Sequence, residues 1–148
     1  TQKVNWKDLD FIIVDMPPGT GDTQLTFSQE IKIDGAIIVS TPQEVALLDV
    51  KRGIKMFDKL GVKILGLVDN MSYFTGDDGK KYKIFGEGGV KKTAEEFNKE
   101  FLGEIPLNPD VGIAGDAGKP IVEENSNHVI SKIYLNFAEK VKSLYNTN

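Results

Sequence analysis

Four short apolar, β-branched runs recur along the chain, at residues 11–14, 36–39, 64–68 and 101–105, the last closed by Pro106. The first three are nearly continuous in apolar character, which suits strands covered on both faces of a parallel sheet. The segments between them carry helical spacing instead. Leu47, Val50, Ile54 and Phe57 fall at i, i+3, i+7 and i+10 and predict one apolar helix face. Thr41 as N-cap, Pro42 at the first helical position and Glu44 three residues after the cap predict where that helix starts. Gly61 predicts its end. A shorter helix is expected over 93–98. The clearest helix is the last, where Ile130, Ile133, Tyr134, Phe137, Val141 and Leu144 repeat at steps of three and four, with Tyr134 and Tyr145 read as core.

Strands alternating with helices imply right-handed crossovers, hence an α/β fold with a mostly parallel sheet and helices on both faces. One stretch interrupts the alternation. Between residues 70 and 86, Tyr73 and Phe74 precede Thr75-Gly-Asp-Asp-Gly79, and Tyr82, Ile84 and Phe85 follow. Asp78-Gly79 is a strong turn signal, so a small β-hairpin insert is expected there.

A chain of 148 residues is the size of one domain, and 40% hydrophobic with 27% charged residues is the balance of a soluble globular protein. No apolar run is long enough to cross a membrane. Lys plus Arg against Asp plus Glu gives 18 − 22 = −4, with both signs mixed, which argues against nucleic acid and against a membrane surface as partner. Cysteine is absent, so the chain supplies neither a disulfide nor thiolates for a metal or cluster. These features fit a cytoplasmic protein. The first residue is Thr1 rather than Met, and the chain is read as a piece of a longer one.

The stretch Asp10-Phe-Ile-Ile-Val-Asp15-Met-Pro-Pro-Gly19-Thr-Gly21-Asp22 carries the most chemistry. A buried strand ending in Asp15 would aim a carboxylate beyond the carboxyl end of the sheet, where open α/β folds bind ligands. A hard cation wants oxygen ligands, and phosphates complete its shell, so Asp15 is a candidate holder of a Mg²⁺–nucleotide. Gly19 and its neighbours permit close backbone approach to a γ-phosphate. The plainer alternative is an Asp capping the next helix and glycines that only turn the chain. Asp22 reads as an N-cap. Asp77 and Asp78 read as a solvated hairpin tip, since two adjacent carboxylates do not make a calcium loop. His128, the single histidine, reads as a surface or capping residue ahead of the last helix.

Taken as a set, the motifs are more specific than any one of them. Val14-Asp-Met-Pro-Pro-Gly-Thr-Gly-Asp22 resembles the switch-like motif of the Mrp family of iron–sulphur cluster carriers, P-loop NTPases of the group that includes MinD and nitrogenase iron protein. Gly66-Leu-Val-Asp-Asn-Met-Ser-Tyr-Phe74, Ile84-Phe-Gly-Glu-Gly-Gly89, Leu102-Gly-Glu-Ile-Pro-Leu107 and Gly115-Asp-Ala-Gly-Lys-Pro120 resemble the later family blocks, in family order. The resemblance implies ATP and Mg²⁺ as cofactors. It aligns Asp15 with the catalytic carboxylate that holds Mg²⁺ through water, and Asn70 with the reader of the adenine edge. Pro106 falls where the family packs against the base. Without the surrounding blocks, Asn70 would be read as a turn residue and Pro106 as a strand stop.

Two departures accompany the matches. The family's Gly-rich phosphate loop, ending in Gly-Lys-Ser/Thr, is not within these residues. Many relatives carry Cys-x-x-Cys after the Met-Ser-Tyr-Phe block, where this chain has Thr75-Gly-Asp-Asp-Gly79. The chain is therefore expected to be the C-terminal part of a single P-loop NTPase-like domain, inactive alone. Its parent is expected to be an ATP-hydrolysing iron–sulphur cluster carrier, forming a homodimer and serving iron–sulphur client proteins. The alternatives are a non-enzymatic dimerisation module with the same fold, or a partitioning or positioning ATPase of the MinD group.

Overall fold

The computed structural model describes residues 4–17 and 21–145. Its centre is three parallel strands in the order β1 (Ala36–Ser40), β2 (Ile64–Thr75), β4 (Phe101–Leu107), with the short β3 (Lys81–Tyr82) folded back antiparallel on the far end of β2. β2 runs 12 residues because it serves two partners in turn. Its first half is buried between β1 and β4, and its second half pairs with β3. Asn70 thus lies inside a strand rather than in a turn.

Helices cover both faces, as the alternation implies. On one face α2 (Glu44–Lys59) and α3 (Gly89–Glu96) bury Val50, Ile54, Val90 and Ala94 against Ile64 and Leu67 of β2. On the other, Val68, Leu102 and Ile105 are covered by Ile133, Tyr134 and Phe137 of α6 (Val129–Ser143). The strand period of two divides these sets: Leu67 and Asp69 face α2 and α3, while Val68 and Asn70 face the other way. Lys51–Glu96 at 2.6 Å and Lys99–Asp58 at 2.8 Å join α2 to the α3 region, but such exposed pairs contribute only about 0–1 kcal/mol each. Burial of the apolar sets carries the architecture.

Several expected boundaries move. α2 begins at Glu44 with Gln43 as an N-cap lacking a side-chain bond, so Thr41 and Pro42 precede the helix rather than cap it. The stop at Gly61 holds: its φ of 69° is the left-handed conformation that ends helices. α3 starts at Gly89, earlier than 93–98, because Gly88 provides a left-handed N-cap that propensity rules do not favour. Asp22 is the first residue of α1 (Asp22–Glu30), and Gly21 takes the cap position. β4 runs on through Pro106 to Leu107; β2 is the partner shown for β4, so a residue without an N–H is tolerated. α4 (Pro109–Asp116) is capped by Asn108, whose side chain accepts from Asp110 N–H at 2.8 Å, and α5 (Ile121–Glu124) follows.

The largest correction concerns residues 11–14. They form no strand, and Phe11, Ile12, Ile13 and Val14 are all exposed, Ile13 at 94%. A strand is stable only where neighbours satisfy its backbone, and no described strand lies beside this run. Its recorded anchors are modest: Phe11 meets Tyr145 edge-on at 6.0 Å, and Gln24 Nε2 donates to Pro17 O at 2.6 Å. Tyr145 is accordingly half-buried rather than core, and its hydroxyl is raised above the ordinary tyrosine range, mainly by burial. β1 likewise shows Ile37 and Val39 to solvent on the face away from α2.

Candidate functional site

The carboxyl ends of β1, β2 and β4 lie side by side, with Ser40, Asp69 and Glu104 in one register row and Asn70 opposite Ile105 in the next. Immediately beyond, β2 bends. Met71 adopts φ 54°, an uncommon conformation for a residue with a long side chain, and the register with β4 shifts between Asn70 and Phe74. Local strain of this kind costs about 1–3 kcal/mol and persists only where surroundings enforce it. Here Ser72 enforces it: its hydroxyl donates to the Ile105 carbonyl at 3.1 Å, with both residues buried. Just before the bend, Asn70 is half-buried and pairs with Ile105, one residue before Pro106 in β4. Among the described residues, no hydrogen bond engages the Asn70 side chain, which leaves its amide donor and acceptor available.

Asn70 and Pro106 are thus brought to one edge of the sheet. Asp15 is not. It sits exposed in the irregular segment after the 11–14 run, not at the end of a buried strand as expected. Gly19 lies outside the described residues. Among the described residues no group of three or more Asp, Glu, His or Cys is arranged to hold a metal.

Sequence reasoning passed over Asp69, although it is adjacent to Asn70. It is 1% exposed, and its carboxyl is pushed up to about 6, first by burial, then by the Glu104 charge, against the pull of Lys83. A single Asp at the end of an apolar run was its only signal. Ser72 was equally inconspicuous, because its role depends on a carbonyl 33 residues away.

The insert forms as expected. Phe74 pairs with Tyr82 and Thr75 with Lys81, and Gly79 N–H closes the turn on Gly76 O at 2.9 Å. Asp78 accepts from Lys80 N–H at 3.0 Å and from Tyr82 OH at 2.9 Å; these bonds, the backbone one first, hold its carboxyl below the ordinary range. The tip is closed on itself, in keeping with a solvated turn. His128 caps α6, its Nδ1 accepting from Ile130 N–H at 3.3 Å while Nε2 lies 3.3 Å from Asp110. An open apolar groove of about 480 Å³ runs between α4, α5 and α6, lined by Val111, Pro120, Ile121 and Tyr134, and holds none of the candidate residues.

Residues 1–142 match the model of the NUBPL iron-transfer P-loop NTPase family. An iron–sulphur protein required for NADH dehydrogenase, from Arabidopsis thaliana mitochondria, is 48% identical over 142 residues, covering 95% of this chain and 45% of its own. An iron–sulphur cluster carrier protein of Saccharolobus solfataricus is 46% identical over 147 residues, covering 98% and 50%. The chain spans about half the length of these relatives. Among solved structures, a nucleotide-binding protein of Archaeoglobus fulgidus in complex with ADP is 40% identical, with a TM-score of 0.63 over 70% of this chain and 43% of that one. The MinD cell division protein of Aquifex aeolicus shares the fold at 20% identity, with a TM-score of 0.64 over 84% of this chain and 49% of its own. With 142 of its 148 residues matched and a P-loop NTPase sheet at its centre, the chain belongs to the NUBPL iron-transfer P-loop NTPase family.

Proposed function

We propose that this chain is the base-binding, C-terminal part of an ATP-binding and ATP-hydrolysing iron–sulphur cluster carrier. The observation that carries the reading is Asn70: a half-buried amide with no side-chain bond among the described residues, one register step from Pro106, at the carboxyl edge of a parallel sheet. A side-chain amide offers one acceptor and two donors, the complement of adenine's edge, and a proline ring gives the base a flat apolar surface. The ADP held by the Archaeoglobus fulgidus relative supports the same assignment.

Asp15 takes the role of metal carboxylate and Gly19 that of close backbone neighbour to the terminal phosphate. A lone exposed carboxylate suits Mg²⁺, which keeps several waters and binds through one or two carboxylates plus phosphates. The ion would neutralise charge on the transferring phosphoryl group. Residues 1–148 contain no phosphate loop, so turnover needs sequence beyond them. The cluster is cargo rather than resident cofactor. With no cysteine, this chain leaves its thiolates to a client protein or to other parts of a cytoplasmic homodimer.

Steady-state phosphate release by the protein at its full natural length tests the reading. Mg²⁺-dependent ATP turnover, lost in Asp15→Ala and absent from residues 1–148 alone, is expected. Turnover indifferent to Asp15→Ala rejects Asp15 as the metal carboxylate, and no turnover at all favours the non-enzymatic module. The exposed Ile37 and Val39 side chains of β1 are the feature that speaks for that second reading.

A further inference from the structure

Asp69 is not among the residues assigned to the proposed nucleotide site, and Asn70 beside it faces the other side of the sheet. Yet it is the most deeply buried carboxyl among the described residues, and its Oδ1 atom has no hydrogen-bond partner there. Such a group is costly unless something satisfies it. The register places it between Ser40 of β1 and Glu104 of β4, all on the α2/α3 face. Ser40 is spent elsewhere, donating to Thr41 O at 2.9 Å. α2 and α3 bring apolar Val50, Ile54, Val90 and Ala94 to that face of the core, and the one buried hydroxyl recorded on them, Thr93, donates to Gly89 O at 2.9 Å. The charged groups nearby come from two places. Glu104 lies directly across, and Lys83 arrives from the loop after β3, its Nζ 3.7 Å from Glu104 and 3.8 Å from Glu87.

Two carboxyls facing one another, one of them buried, do not both ionise freely. A proton held between two such groups relieves their repulsion. A protonated carboxyl also gains an O–H donor, and the Glu104 carboxylate opposite is the natural acceptor. The shift of Asp69 to about 6 has the direction this arrangement requires.

We propose that Asp69 and Glu104 share one proton across the end of the sheet, and that its loss draws Lys83 inward and fastens loop 83–88 to the sheet. With the proton in place the pair carries one negative charge, and Lys83 is divided between it and Glu87. With the proton lost the pair carries two, and Lys83 is held. The loop is built to respond. Gly86 at φ 107° and Gly88 at φ 66° take conformations open to glycine, and α3, which the loop enters, has no side-chain cap to hold its start. The loop is therefore tight above about pH 6 and loose below it.

The test is a carboxyl-carbon NMR titration of the protein at its full natural length, paired with amide hydrogen exchange corrected for intrinsic rate. Asp69 and Glu104 are expected to report the same two steps, the second well above the ordinary carboxylate range. Protection of amides 84–88 falls about tenfold as pH drops through that step, which is the size of one pKa unit of differential charge interaction. Amides 77–80 at the hairpin tip do not follow it. Lys83→Met keeps the shared titration, moved upward, and abolishes the loop's response. Asp69→Asn abolishes the step altogether; if that variant does not fold, the wild-type titration still decides. An Asp69 that titrates alone in the ordinary range overturns the proposal. So does a loop whose protection ignores the step or persists in responding in Lys83→Met.

Discussion

The Ser72 hydroxyl donates a 3.1 Å hydrogen bond to the main-chain oxygen of Ile105, and this contact sets the corner at which β2 leaves the parallel part of the sheet. Both residues are buried, so removing the donor strands a carbonyl away from water. Ser72→Ala is therefore expected to cost about 1–3 kcal/mol, more than an exposed hydroxyl is worth. Urea unfolding would show this as a lower midpoint with unchanged slope. An unmoved midpoint would mean the bend at Met71 holds itself.

Asp69 makes stability depend on pH in an unusual direction. Its folded-state pKa is raised from 3.8 to about 6, so between these values the folded chain holds a proton that the unfolded chain has lost. The stabilisation is full below about pH 3.8 and is lost as pH rises through about 6. Asp69→Asn, always neutral, should gain about 2–3 kcal/mol over wild type at neutral pH and little near pH 4. Unfolding midpoints of both proteins at the two pH values provide the check, and an equal shift at both would contradict the assignment. This global cost at neutral pH accompanies the local tightening of loop 83–88, because one ionised carboxylate is responsible for both.

Gly89 marks a close approach of helix to loop. A Cβ there would stand 2.7 Å from Pro42 O and 2.7 Å from Leu47 Cδ1. The leucine can turn away, but the backbone oxygen cannot, so Gly89→Ala must push α3 off the loop before α2. Overpacking of this kind costs about 1–3 kcal/mol. Calorimetry should register a lower Tm, whereas Gly53→Ala in the middle of α2, with open space around it, should raise Tm slightly.

Phe11, Ile12, Ile13 and Val14 face solvent, as do Ile37 and Val39 on β1, and exposed apolar side chains of this kind favour association. Residues 1–148 expressed alone are expected to associate through this region at micromolar concentration. Light scattering that finds a clean 16.3 kDa monomer with cooperative unfolding would refute it.

The contrast between 11–14 and 64–68 shows what an apolar run can and cannot say. Both read as buried strands, yet only the second has neighbours to complete its ladder. Periodicity reports which side chains want burial; it does not report whether a partner strand is there. Helix α6 was legible because its apolar stripe is long and local, and the hairpin because Asp78-Gly79 specifies a turn within its own few residues. The site divides the same way. Asn70 and Pro106 were reached through motif resemblance, and the sheet brings them together through the β2–β4 register. The roles of Ser72, Asp69 and Glu104 come from pairing across strands far apart in sequence, which no local pattern encodes.

The central claim is that Asn70 reads the adenine base, and nucleotide selectivity tests it most directly. Titration calorimetry of the protein at its full natural length with Mg²⁺ and ADP or GDP would compare wild type with Asn70→Ala. Loss of a paired amide from a base edge should weaken ADP binding about tenfold or more, at about 1.5–3 kcal/mol. GDP binding should change little, so the preference for adenine collapses. Undiminished ADP affinity and selectivity in Asn70→Ala would contradict the account.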